Sequence, residues 1–175
     1  ALYKVEERLK SGREWLGQRF EASSNGTRVN VLTDTLAGLL ANETLTITGQ
    51  FVSRSTSSAS FDIEFDGNPL LTLSIPRISS YMASDGAAGV ARNFTRTLSA
   101  PNSPIIKVDA TYNHNASGSS GFLDWLEITA QRKLMADNNR LYFYSPANGS
   151  DTELVEYQLQ GFDKKPVVMD VSDVT

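Results

Sequence analysis

Apolar and polar residues alternate with a period of two along much of this chain. In 60–65 the apolar Phe61, Ile63 and Phe65 are interleaved with Asp62 and Glu64, and Asp66 follows. Successive side chains of a strand point to opposite faces, so this segment has one dry face and one wet face. That is the signature of an antiparallel sheet with a solvated side. Comparable strand-like runs occupy 3–9, 14–20, 28–32, 44–52, 70–75, 90–98, 105–112 and 122–132. Between them lie Ser24-Asn25-Gly26, Asp66-Gly67-Asn68-Pro69, Ser84-Asp85-Gly86, Pro101-Asn102-Ser103-Pro104 and Gly118-Ser119-Ser120-Gly121, residues that tolerate positive φ or preset a turn. Short strands at such spacing predict an all-β antiparallel sandwich. The best helical candidate, 34–40 with Asp34 or Thr35 as its N-cap, is too short to define the fold.

The pattern breaks after Arg132. Asp137-Asn138-Asn139 and the loop Ser145-Pro146-Ala147-Asn148-Gly149-Ser150-Asp151 flank Leu141-Tyr142-Phe143-Tyr144, and strand-like runs resume at 154–159 and 167–171. The organisation expected is a sandwich domain over 1–133 and a short C-terminal β extension over 134–175, serving as strands and linker towards a further domain. The chain opens Ala1-Leu2-Tyr3, without an initiator Met or a signal peptide, as a piece of a larger protein would.

The run 122–132 carries the most specific expectation. Strict alternation places Phe122, Asp124, Leu126 and Ile128 on one side and Leu123, Trp125, Glu127 and Thr129 on the other. Asp124 then falls on the more apolar face, where a carboxylate is costly unless hydrogen-bonded or paired. A structural role is expected for it, with backbone N–H groups or an Arg as partner.

Composition removes several chemistries. The 175 residues contain no Cys, which excludes thiol catalysis, disulfides and thiolate metal sites, and the single His, His114, would have to carry any imidazole-based site alone. It lies in a Gly/Ser/Asn-rich stretch expected to be a mobile loop. Sixteen Lys and Arg against twenty Asp and Glu give a net charge of −4 with no basic cluster, so nucleic acid is not an expected partner. Asp62 with Glu64, or Asp124 with Glu127, could in principle form the carboxylate pair of a glycosidase, but the first reads as a solvated edge and the second points to opposite faces. There is no Gly-x-Ser-x-Gly nucleophile elbow and no Asp-x-Asp-x-Asp-Gly calcium loop. No catalytic residue, metal site or cofactor is expected.

Three stretches, Ser11-Gly12-Arg13-Glu14-Trp15-Leu16-Gly17, Gly121-Phe122-Leu123-Asp124-Trp125-Leu126-Glu127 and Val167-Val168-Met169-Asp170-Val171-Ser172-Asp173, together resemble the region upstream of the peptidase domain in PorU-like sortases of the bacterial type IX secretion system, relatives of the gingipain cysteine peptidases. The family's catalysts are a Cys and a His in the later peptidase domain, and neither role carries over to this chain. The resemblance implies a non-catalytic accessory domain at the outer-membrane cell surface. Its implied partners are the peptidase domain of the same chain, cargo proteins and outer-membrane secretion components.

The Leu-Asp-Trp-Leu strand is also similar to the closing strand of galactose-binding-like modules, which implies a jelly-roll-like sandwich and an alternative function as a carbohydrate-binding module of a secreted enzyme. Trp15, Tyr81, Tyr112 and Trp125 are then the candidate stacking residues, with His114 as a loop contact and carbohydrate as the partner. Asp34-Thr35-Leu36 resembles an O-glycosylation site of extracytoplasmic proteins in such bacteria, with Thr35 as acceptor. Five Asn-x-Ser/Thr triplets, at Asn25, Asn42, Asn93, Asn115 and Asn148, are expected from an Asn-rich composition alone.

Overall fold

A computed structural model describes residues 3–5, 14–20, 26–78, 89–143 and 156–169, with side chains from Leu16 onward. Its strands are β1 (Tyr3–Val5), β2 (Glu14–Leu16), β3 (Arg19–Phe20), β4 (Thr27–Thr35), β5 (Thr44–Arg54), β6 (Ala59–Phe65), β7 (Asn68–Ile75), β8 (Val90–Ser99), β9 (Ile105–His114) and β10 (Ser120–Ala130). A small antiparallel pair, β1–β2, precedes two four-stranded antiparallel sheets ordered β3-β10-β5-β8 and β4-β9-β6-β7. From β3 onward the chain alternates between the two sheets, except at the β6–β7 hairpin, and its last strand lies beside its first. This is the jelly-roll arrangement, in which two sheets cover each other's apolar faces. The hairpin turns on Asp66 and Gly67, both at positive φ (48° and 78°), which a two-residue turn of matching twist requires.

Alternation supplies the core. Phe61, Ile63 and Phe65 of β6, Ile106, Val108, Ala110 and Tyr112 of β9, and Leu45, Ile47 and Phe51 of β5 all face inward and are buried. At one end the rings of Phe20, Phe51, Phe61 and Tyr112 meet, with centroids 4.5 Å apart for Phe51–Phe61, 4.8 Å for Phe61–Tyr112 and 5.1 Å for Phe20–Phe61. Aromatic clusters of this kind combine large buried area with offset or edge contacts. The Tyr112 hydroxyl stays satisfied through a 2.7 Å hydrogen bond with Ser53 Oγ, which ties the two sheets together. Gly121 is required here, because an added Cβ would lie 2.8 Å from Phe61 Cζ and 2.9 Å from the Tyr112 ring.

Two expectations about elements are corrected. Residues 34–40 form no helix: Asp34 and Thr35 finish β4, the chain turns at Gly38 (φ 77°), and Leu39 bridges to Arg132. The N–H of Leu36 donates to the carbonyl of Pro104 rather than being left free at a helix start, so inter-strand bonding overrides a weak local preference. The expected strands of the tail are also absent among its described residues. Instead 132–143 and 156–169 form irregular chain held by single bridges, Met135 to Gln160 and Asp137 to Arg140, and by Asn139, whose side chain pairs with Asp163. The predicted turn at 84–86, residues 11–13 and residues 170–173 lie outside the described residues.

Candidate functional site

The two outer faces of the sandwich differ in chemistry. On the β3-β10-β5-β8 sheet, the outward residues form cross-strand rows: Trp125–Gln50–Asn93, Glu127–Thr48–Thr95 and Thr129–Thr46–Thr97. Gln50 Nε2 donates to Asn93 Oδ1, while the threonine pairs are long, 3.3 Å for Thr46–Thr97 and 3.5 Å for Thr95–Thr48. Trp125 is 39% exposed, the one exposed aromatic on the described sheets.

A bulge creates this face. In β10, Leu123 stands opposite Phe51 and Trp125 opposite Gln50, so Asp124 is the extra residue with no partner across the ladder. Without that insertion Trp125 would share the inward side with Leu123; with it, Leu126 and Ile128 pack against the core and Trp125 turns outward. The expected face assignment is therefore corrected: Leu123 joins Leu126 and Ile128, while Phe122 belongs with Trp125, Glu127 and Thr129. Asp124 itself faces no residue across the ladder. Its carboxylate makes no hydrogen bond or ion pair among the described residues, and partial burial pushes its pKa up.

The outer face of the other sheet is an ionic and amide ladder. Asp109 on β9, nearly inaccessible, accepts from Arg28 Nη2 at 2.7 Å and from Asn30 Nδ2 at 3.0 Å, and pairs with Lys107 Nζ at 3.0 Å. Arg28 also reaches Glu64 at 2.6 Å. Burial alone would raise the Asp109 carboxyl, but the hydrogen bonds from Asn30, Arg28 and Lys107 outweigh it and hold the pKa at about 2. In the next row Asp62 accepts from Thr72 Oγ1 at 2.6 Å and from Asn113 Nδ2 at 2.7 Å. Asp62 and Glu64 are thus committed to structural pairings on an open face, which is no arrangement for acid–base chemistry on a glycosidic bond.

The other candidates separate clearly. Tyr112 is 1% exposed in the aromatic cluster and is removed as a stacking residue. His114 is corrected twice over, because it ends β9 rather than sitting in a loop, and it is buried against Tyr112 with ring centroids 5.1 Å apart. Its Nδ1 donates to the carbonyl of Ala116 at 3.0 Å, anchoring the β9–β10 connection. Thr35 is exposed at the end of β4, its N–H donating to Asp34 Oδ1 at 2.7 Å. Trp15 lies in β2 with its side chain undescribed, and Tyr81 is outside the described residues. Gln50, Asn93, Thr48 and Thr95 were missed in the sequence, although the alternations Thr44-x-Thr46-x-Thr48-x-Gln50 and Asn93-x-Thr95-x-Thr97 carried the signal. Among the described residues no group of three or more acidic or His side chains could hold a metal.

No protein-family model and no curated protein matches the chain. Among solved structures it is similar to dimeric latent PorU from Porphyromonas gingivalis, with a TM-score of 0.60 and 20% identity over 84% of this chain. That likeness is one of fold, and the chain spans only 14% of the PorU chain's length. Looser likenesses link it to the CBM36-1 domain of a multidomain xylanase from the hindgut metagenome of Trinervitermes trinervoides (TM-score 0.44, 12% identity, 74% of this chain and 86% of that one). The carbohydrate-binding module CBM36 in complex with calcium and xylotriose is looser still (TM-score 0.38, 14% identity, 74% and 99%). Neither bears on what this chain binds.

Proposed function

We propose that this chain is a non-catalytic accessory domain of a PorU-like sortase of the type IX secretion system, working at the bacterial cell surface. It positions the peptidase domain or engages cargo or an outer-membrane partner. The single observation that carries the reading is the likeness of fold to PorU over 84% of this chain. A second feature is consistent with a docking role for that tail: Tyr142, Val167, Val168 and Met169 are 80%, 86%, 64% and 75% exposed, a density of bare apolar side chains that marks interaction surfaces. No nucleophilic thiol is available, so the chain itself is proposed to be inert as a cysteine peptidase.

The test is the reading frame in which this chain is encoded, followed by a binding measurement. A Cys- and His-bearing peptidase domain is expected after Thr175, and titration calorimetry should show it binding this chain, with Val168→Asp and Met169→Asp weakening the complex. A glycosidase in that position would replace this reading with that of a carbohydrate-binding module of a secreted enzyme. A peptidase domain that ignores the chain at high concentration would remove the positioning role.

A further inference from the structure

The outer face of β10, β5 and β8 has a composition that the accessory role does not use. We propose that it is a binding site for a neutral oligosaccharide, one sugar ring stacking on Trp125 and its hydroxyls bonding to Gln50, Asn93, Thr48 and Thr95. Three observations point there. The bulge at Asp124 disrupts the β10 ladder and, in doing so, turns a large aromatic out of the core beside two amide side chains. Bulges are concentrated where a strand must re-aim a side chain for use.

Charge selects the ligand. The three rows contain one carboxylate, Glu127, and no cation; Arg92 and Arg96 of β8 fall in the opposite register, with Phe94 and Leu98. Within these rows a phosphorylated or polyanionic ligand finds no cation, the nearest on this face being Arg19, opposite Phe122 in the adjoining row, and Arg54, opposite Ser120. A protein partner would meet, in these three rows, one aromatic among hydroxyls, amides and a carboxylate, where interface centres are apolar and closely packed. A sugar offers what the face lacks: apolar C–H faces for the indole ring and hydroxyls that both donate and accept. The threonine pairs at 3.3 Å and 3.5 Å are at the long limit of hydrogen bonding, so exchanging them for ligand contacts costs little. The proposal does not depend on the accessory reading, since it concerns this face and not the tail.

Affinity electrophoresis of the whole chain tests it, in gels containing soluble xylan, galactomannan or mixed-linkage glucan, with polygalacturonate as the anionic comparison. At least one neutral polymer should retard the protein. Trp125→Ala should weaken the interaction about tenfold or more, the equivalent of a lost stacking contact, and Thr95→Val, at an exposed position that leaves the core intact, should weaken it measurably. Thr72→Val, on the other sheet's outer face, should bind as the parent does, and thermal melts confirm that each variant is folded. Retardation by no neutral polymer, retardation by polygalacturonate alone, or equal binding by the parent, Trp125→Ala and Thr95→Val would each overturn the proposal. It would also fall if sedimentation showed a dimer that Trp125→Ala dissociates, because the face would then join copies of the chain.

Discussion

Replacing Asp109 with Asn should cost this sandwich about 2 kcal/mol at neutral pH, and the cost should disappear in acid. The carboxylate is 4% exposed and has both oxygens engaged, Oδ2 by Arg28 at 2.7 Å and Lys107 at 3.0 Å, Oδ1 by Asn30 at 3.0 Å. An amide keeps one acceptor oxygen, presents a donor to Asn30, and leaves two cations without their counter-charge. The depression of the Asp109 pKa from 3.8 to about 2 translates into roughly 2 kcal/mol at 1.36 kcal/mol per unit. Because the folded-state pKa lies below the unfolded one, that stabilisation is complete above about pH 4 and is lost as the pH falls through about 2. Urea unfolding followed by tryptophan fluorescence measures it, provided the two proteins share one m-value, so that the midpoint shift reports stability. The parent and the Asp109→Asn protein should differ most at pH 7 and converge near pH 2. A variant as stable as the parent at pH 7, or a gap that persists undiminished in acid, would refute the view that the ionised carboxylate organises this ladder.

Asp124 should behave in the opposite way. Burial raises its pKa, with no partner among the described residues, so ionisation at neutral pH is a liability of the folded state, and Asp124→Asn should leave the urea midpoint at pH 7 unchanged or raise it; a loss of about 1 kcal/mol or more would reveal an acceptor role. Gly121→Ala should lower stability by about 1–3 kcal/mol in the same assay, since its methyl group would press on the Phe61 and Tyr112 rings in the packed core. A wild-type midpoint for that variant would mean the aromatic cluster has slack that its contacts do not show.

What the sequence determined by itself was the strands and their turns, because both are local. A period of two in Phe61-Asp62-Ile63-Glu64-Phe65 is enough to create a wet and a dry face, and Asp66-Gly67 is enough to turn the hairpin, since both residues accept positive φ. Nearly every strand-like run between residues 14 and 132 corresponds to a strand, often with one or two residues added at its ends. Tertiary structure decided which strands neighbour one another and where alternation is interrupted. The bulge in β10 is a mismatch in count between β10 and β5, invisible to any rule that reads β10 alone, and it exchanged the sides of Phe122 and Leu123 and took Asp124 out of the ladder. His114 and Tyr112 look available beside a Gly/Ser-rich loop, yet the pairing of β9 with β6 carries both into the core. The candidate site consequently rests on residues from three strands far apart in sequence. Trp125 was legible as an aromatic, but its row with Gln50 and Asn93 exists only through the register of β10, β5 and β8. Periodicity fixes which side chains oppose each other along one strand; only the packing of the sheets fixes which side meets water.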